Sequence, residues 1–391
     1  MHIIYIGQFR LPAQDAAAAR VLNVGRSLRQ VGHQVSYISW GGLQKIEHRG
    51  EDGVYRVDGF PYEVTGELDF KGNLSNKIRE KLCQGKKTKY LLQEKLGQYD
   101  TIITYNCSLI QWLVPFCKKN RIYLISDVTE WYDYSELKLY DRPVYYYKMR
   151  YVQKKIENKI VISKYLDNYY NTSHNIIIPA TCDASEVKWH QNMNYKEVYV
   201  KPFNGVTLIY AGNPAKKDLV HDVINAVQRL AEEDTNIRFL ILGITREDYL
   251  SRYSAMLHTK NLHENVIFLG RVSQEMIPSF YHQADFMVLL RDQTRKSNAG
   301  FPTKFAESFT SGTPVIANLT SDIGQYLKDG ETGFVVGEPS EEAVYRVLKE
   351  KVLTLSSEAI AYMKKNVESV AKKLDYHAFV DPLRDFMNKL R

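Results

Sequence analysis

The chain is short of cysteine: four occur in 391 residues (Cys83, Cys107, Cys117 and Cys182), and no two form a C-x-x-C pair. That count offers neither a disulfide framework nor a zinc ribbon, and it fits a reducing compartment. No apolar run approaches the ~20 residues that span a bilayer. The opening MHIIYIGQFRLP has no cationic lead and reads as a strand, not a secretory leader. A cytoplasmic protein is expected. Phosphate-binding signatures are scarce too. No G-x-G-x-x-G follows either strand that opens a half, and Gly85-Lys86-Lys87-Thr88 lacks the leading glycine of a G-x-x-x-x-G-K-[ST] loop. There is no G-x-S-x-G elbow and no His/Cys cluster at metal spacing. None of the 21 aspartates forms a D-x-D pair, the arrangement that holds a divalent metal on a diphosphate. A diphosphate ligand would therefore meet basic side chains and backbone N–H groups. No metal ligand and no cofactor is expected.

Charge is present but unevenly placed. Lysine and arginine number 52 against 45 acidic residues, a net +7. Residues 1–183 hold 26 basic and 19 acidic side chains, and the remainder holds 26 of each, so the whole surplus lies in the first half. Such a surplus suits an anionic partner, or plain solvation. Two stretches stand out there. Residues 71–95 carry eight lysines and arginines among leucines and isoleucine, and residues 131–151 carry seven tyrosines and run into Lys154 and Lys155. Basic segments interleaved with apolar and aromatic residues fit an anionic membrane face, with a solvated basic face as the equal alternative. They match no nucleic-acid recognition motif, so nucleic acid is not an expected partner.

Short apolar runs alternate with helical patterns. Strands are predicted at 3–6, 35–39, 101–104, 123–126, 159–162 and 176–178. Between the first two, Val21, Val24, Leu28 and Val31 recur at helical spacing before Gly32. His33 falls in the turn that follows and reads as structural. The rhythm restarts at 206–211, where TLIYAG echoes HIIYIG, and continues with strands at 238–242, 266–269, 286–290, 314–317 and 334–336. A helix presenting Leu219, Val223, Ile224, Val227 and Leu230 lies between the first two of these. Repeated βα units imply parallel, doubly wound sheets. The expected architecture is α/β, with two Rossmann-like domains over 1–183 and 206–365. A polar linker covers 184–205, and an amphipathic helical tail covers 366–391.

The segment from 289 to 317, LLRDQTRKSNAGFPTKFAESFTSGTPVIA, gathers groups able to hold an anion. A strand ends near Leu290, a polar loop follows, and a helix begins near Thr303. Asn298, Gly300, Phe301 and Pro302 shape the turn into that helix. Its free N–H groups and positive dipole end, at Thr303 and Lys304, would face a phosphate. Proline at the entry costs no hydrogen bond. Glu307 lies one turn inside, placed to reach hydroxyls beyond the phosphates.

This segment resembles the donor-site motif of the GT-B, family 4 retaining glycosyltransferases, roughly E-G-F-G-x-x-x-x-E followed by A-x-G-x-P-V-I-A. Gly300-Phe301, Glu307 and Gly312-Thr313-Pro314-Val315-Ile316-Ala317 carry the match. Phe268-Leu269-Gly270-Arg271-Val272 is similar to the family's F-L-G-R-V, Ala284-Asp285 to its A-D, and Asp329-Gly330-Glu331-Thr332-Gly333 to D-G-x-T-G. Arg20 through Gly32-His33-Gln34-Val35 resembles the first-domain pattern ending G-H-x-V. The likeness extends over nearly the whole chain. It implies the GT-B fold: two domains facing a cleft, with the C-terminal helix returning to the first domain.

The resemblance also implies roles. Glu307 would bind the donor ribose. Asn298, Gly300, Phe301, Pro302, Thr303, Lys304, Gly243, Arg271 and Val272 would complete the donor site. The family's basic G-R-x-x-x-x-K loop corresponds to Gly212-Asn213-Pro214-Ala215-Lys216-Lys217. Asn213 stands in the arginine's place, and Lys217 or Lys216 in the lysine's; Lys304 or Arg295 would compensate. Ala299 replaces the first glutamate of the E-x7-E pair, and Asn298 is its neighbour. The histidine expected near residue 126 is missing, which leaves Asp127 or Glu130 to touch sugar and acceptor, with Gly7, Gln8 and Arg20 on the acceptor side. The implied activity is metal-independent retaining transfer of a hexosyl group from a nucleoside diphosphate sugar to a saccharide or lipid-linked saccharide, as in surface polysaccharide synthesis. The implied location is the cytoplasm, peripheral on the inner membrane face. Two alternatives stay open: a non-hydrolysing sugar-nucleotide epimerase, and a catalytically silent binder of sugar nucleotides or of a partner.

Overall fold

Each apolar run predicted as a strand is one in the structure, and its helix returns over the sheet as a right-twisted βαβ unit requires. A computed structural model describes residues 1–11, 15–40, 49–51, 53–66, 74–190, 202–215, 217–233 and 235–390. It divides into two units, Met1–Thr181 with Tyr376–Arg391, and Cys182–Asp375.

In the first unit the order is β1 (His2–Gly7), α1 (Ala16–Val31), β2 (Gln34–Ser39), β3 (Tyr55–Val57), β4 (Phe60–Val64), α2 (Leu74–Glu94), β5 (Thr101–Tyr105), α3 (Ile110–Asn120), β6 (Tyr123–Val128), α4 (Arg142–Tyr147), β7 (Asn158–Val161), α5 (Lys164–Tyr170) and β8 (His174–Ile177). The sheet runs β3-β4-β2-β1-β5-β6-β7-β8, parallel except for the β3–β4 edge. The strand order reverses between β1 and β5, so their carboxyl ends form the switch point where doubly wound sheets bind ligands. They approach closely: a Cβ on Gly7 would lie 1.9 Å from the Tyr105 carbonyl oxygen. Helix α1 starts at Asp15, whose carboxylate accepts the Ala18 N–H at 2.8 Å, and stops at Gly32 in left-handed backbone (φ 102°). His33 takes the turn, its N–H donating to the Leu28 carbonyl.

The second unit follows with β9 (Val206–Ala211), α6 (Val220–Glu232), β10 (Ile237–Leu242), α7 (Arg246–Tyr253), β11 (Val266–Gly270), α8 (Ile277–Gln283), β12 (Phe286–Leu289), α9 (Arg295–Ala299), α10 (Thr303–Thr310), β13 (Val315–Asn318), β14 (Gly333–Val336), α11 (Glu341–Val347) and α12 (Ser357–Ala371). Its sheet is wholly parallel, in the order β11-β10-β9-β12-β13-β14, with its switch point between β9 and β12. The stretch expected as a plain polar loop before Thr303 contains α9, a helical turn capped by Thr294.

The tail predicted over 366–391 is divided. Helix α12 belongs to the second unit, while Tyr376–Arg391, with α13 (Val380–Met387), belongs to the first. There Leu383, Phe386 and Met387 join the core of β1, α1 and β2. The Phe386 ring stacks on His174 at 4.3 Å, and the Ser27 hydroxyl donates to the Tyr376 carbonyl. Among the described residues, no helix is long and apolar enough to cross a membrane.

Candidate functional site

At the switch point of the second unit, the loops after β9 and β12 are sewn together. The Leu219 N–H donates to the Leu290 carbonyl at 2.9 Å and the Asp292 N–H to the Lys217 carbonyl at 3.1 Å. Three glycines let the strand ends converge. Gly243 (φ +95°) donates to the Gly270 carbonyl, and a Cβ on it would lie 2.5 Å from the Gly212 carbonyl carbon. A Cβ on Gly212 (φ +128°) would lie 2.6 Å from Lys304 Cε. Only glycine combines that backbone with that approach.

Lys304, in the first turn of α10, is held there by a group the sequence reading missed. Its Nζ lies 3.2 Å from Asp218 Oδ2 and 4.7 Å from the Tyr210 ring centre. Asp218 also accepts from Arg291 Nε at 3.1 Å and from the Tyr210 hydroxyl at 2.7 Å. Burial works against this carboxylate's charge, but Lys304, Arg291 and the hydroxyl outweigh it and hold the group well below the usual range. Two cations thus share one buried anion. The available signals were a charged residue directly after an apolar strand (Arg291 in LLRD) and the acid beside Lys217.

Glu307 sits half-buried one turn further along α10. Burial raises its carboxyl, against the opposing pull of Lys304 and Lys188. Thr303 and Lys304 open the helix after Pro302, which is extended (φ −74°, ψ 114°). Arg271 is exposed just past Gly270, with Val272 half-buried beside it. Lys217 is half-buried at the turn next to Asp218, and Asn213 is exposed. Lys216 lies outside the described residues. The structure therefore brings Gly212, Asn213, Gly243 and Lys304 together, with Thr303 and Glu307 on the helix that carries Lys304, and with Lys217 next to Asp218 in the chain.

Two donor-side expectations change. Asn298 donates to the Thr294 carbonyl at 3.0 Å and accepts from the Ser321 N–H at 3.0 Å, so its amide bolts the turn. Phe301 is buried edge-on against Phe305 and Tyr326 and shapes the turn from beneath. Ala299 is fully buried.

The first unit brings a larger correction. Asp127 is 1% exposed, and both its oxygens are engaged: Arg20 Nη2 reaches Oδ1 at 2.7 Å, Nε reaches Oδ2 at 3.0 Å, and the Tyr5 hydroxyl donates to Oδ2. Arg20 Nη1 donates to the carbonyls of Ile178 and Pro179. The pair ties α1 and β6 to the chain leaving β8, so neither residue faces a ligand. Glu130, half-buried past β6, accepts from the Tyr132 hydroxyl, and Gln8 is half-buried past the end of β1. Among the described residues, no group of three or more His, Cys, Asp or Glu side chains is arranged to hold a metal ion.

Residues 192–370, somewhat under half of the chain, match the sequence model of the family Glycosyl transferases group 1. The chain is 22% identical over 233 residues to a lipopolysaccharide 1,2-N-acetylglucosaminetransferase of Salmonella typhimurium; the match covers 55% of this chain and 60% of that protein. Among solved structures, sucrose-phosphate synthase of Thermosynechococcus elongatus superimposes with a TM-score of 0.73 at 16% identity, over 99% of this chain and 98% of that one. The Anabaena HepE protein, crystallised with UDP and glucose, does so with a TM-score of 0.70 at 14% identity over the whole of both chains. The fold is that of the GT-B glycosyltransferases, two Rossmann-like α/β units with a helical C-terminus.

Proposed function

We propose that the protein is a family 4 retaining glycosyltransferase, moving a hexosyl group from a nucleoside diphosphate sugar to a saccharide or lipid-linked saccharide without a metal. One observation carries this reading: a helix N-terminus flanked by Lys304 and Lys217, with Glu307 one turn inside, at the switch point of a parallel sheet. The N–H groups of Thr303 and Lys304, which open α10, would take the phosphates. The Glu307 carboxylate would accept from the ribose hydroxyls. As the bond from sugar to β-phosphate oxygen lengthens, negative charge grows on that oxygen, and Lys217 with the helix dipole stabilises it in place. Glu130 is the group proposed to orient sugar or acceptor from the first unit. Metal independence follows from the same assignment, since cations and N–H groups already answer the diphosphate charge.

The acceptor's setting draws support from the surface of the first unit. Leu139, Tyr140, Val144, Tyr147 and Tyr151 are all at least half exposed, as are Leu82 and Tyr90 on the basic helix α2. Tyr134 and Tyr146 carry Arg142 and Arg150 over their rings at 4.9 Å each. Aromatic rings and cations interleaved in this way suit a headgroup interface, which supports the reading of a reaction at the inner membrane face. Buried Ala299, where the family pattern has a carboxylate, favours the silent-binder reading as the rival.

The test incubates the full chain with UDP-glucose, UDP-N-acetylglucosamine or GDP-mannose and a lipid-linked saccharide extract. Product anomers are read by NMR, with and without EDTA. Transfer with retained configuration and no EDTA effect is expected. Binding of a nucleotide sugar without turnover would establish the silent reading, inversion would refute the retaining assignment, and loss of activity in EDTA would refute metal independence.

A further inference from the structure

The cations around the loop after β9 do not all have anionic partners. Lys304 and Arg291 share Asp218. Arg252, on the last turn of α7, is different. Its Nη1 lies 3.4 Å from Asn213 Oδ1, and among the described residues no carboxylate is within ion-pair distance of it. Both side chains are exposed. A guanidinium has five N–H donors in a planar fork, and here it is offered a single neutral amide oxygen.

Its placement is built, not incidental. Helix α7 starts on Thr245, whose hydroxyl accepts the Asp248 N–H at 3.2 Å. Tyr249 is 1% exposed and packs on Phe268 of β11, with ring centres 5.2 Å apart. The next turn sets the Tyr253 ring on Tyr249, and the Tyr253 hydroxyl donates to the Pro214 carbonyl at 3.0 Å. Two tyrosines thus fasten α7 to the sheet and to Pro214 in the loop after β9, and Arg252, between them in sequence, is delivered to Asn213. The acids of α7, Glu247 and Asp248, lie in its opposite, first turn. Next to Asn213 is Gly212, whose backbone meets the Lys304 side chain at the start of α10.

We propose that Arg252, held by Asn213, is a binding residue for the diphosphate of the donor, supplying from a neighbouring helix a guanidinium where the loop itself offers only the neutral Asn213 amide. This rests on the donor-site reading above and deepens it. A guanidinium answers two phosphate oxygens at once, so its loss should weaken diphosphate recognition specifically.

The test is calorimetry on the full chain with UDP, GDP and ADP and their matching nucleosides. Arg252→Ala is expected to lower affinity for the bound diphosphate about tenfold to a hundredfold, with nucleoside affinity and far-UV circular dichroism unchanged. Arg252→Lys should keep part of the affinity, having charge without the fork. Placing the cation on the loop, Asn213→Arg in the Arg252→Ala background, should recover most of it. If Arg252→Ala binds the diphosphate as wild type does while Glu307→Ala is weakened, Arg252 is a surface residue and this assignment is overturned alone. If wild type binds none of the three diphosphates, the donor-site reading falls and this one with it.

Discussion

Replacing Asp218 with asparagine isolates the buried charge cluster that fixes the candidate site. The substitution keeps the shape and one acceptor oxygen but removes the charge that faces Arg291 at 3.1 Å and Lys304 at 3.2 Å. Breaking a buried pair generally costs about 3–5 kcal/mol, because the abandoned partner stays desolvated. The two partners differ here. The Arg291 side chain is only 5% exposed, whereas Lys304, at 19%, can swing its ammonium outward. The lower end, about 3 kcal/mol, is therefore expected. For a unit of this size that lowers the midpoint of thermal unfolding by about 6–12 °C.

The pH arm has a definite sign. The folded carboxyl lies far below its unfolded value of about 3.9. Its contribution is thus complete above that value and drains away as pH falls toward the folded one. Denaturant midpoints of wild type and Asp218→Asn should be well separated from pH 6 to 8 and converge below about pH 4. A difference under about 1 kcal/mol at pH 7, or a gap that widens in acid, would refute the charge-cluster account.

Glu307→Ala should weaken binding of the bound nucleoside diphosphate by about 1.5–3 kcal/mol in calorimetry while circular dichroism stays unchanged; unaltered affinity would remove Glu307 from the ribose. Asp127→Asn should cost about 3–5 kcal/mol in denaturant unfolding, since Arg20 keeps its charge in the core, with kcat per folded molecule retained. Glu130→Gln should do the reverse, lowering kcat with stability within about 0.5 kcal/mol. Lys86→Ala with Lys87→Ala should weaken cosedimentation with anionic vesicles by about 1 kcal/mol per lysine at low salt, and binding that is equal on neutral vesicles would mean the basic face is only solvated.

Much of the fold was legible because apolar runs and helical spacing are local. The runs at 3–6 and 206–211 became the central strands β1 and β9, and Gly32 closed α1 as its lack of a side chain allows. The β3–β4 hairpin was overlooked although its signal is strong. Asp58 and Gly59 both adopt positive φ (50° and 75°) in a two-residue turn between Val57 and Phe60, but strands of three and five residues are too short to show a period. Around the site, Glu307, Gly300 and Gly312 belong to one contiguous motif and could be found by eye. Asp127 misled because an acid just after a strand looks the same whether it faces solvent or an arginine 107 positions away. Asp218 escaped for the same reason, since Lys304 is 86 residues downstream. Long-range charge pairing leaves no periodicity to read.

The return of Tyr376–Arg391 to the first unit has a consequence for how the polypeptide is made. The apolar surface on α1 and β8 that receives Leu383, Phe386 and Met387 exists once Thr181 has been translated, yet its cover is encoded on the far side of an entire second unit. At about 5–20 residues per second, the ribosome needs roughly 10–40 s to cross that interval. For that time the nascent first unit carries an open hydrophobic seam, which trigger-type holding chaperones would be expected to occupy. A stalled or prematurely terminated message would release a chain whose opening sheet is complete while its seam stays uncovered, a product suited to proteolysis and not to partial activity.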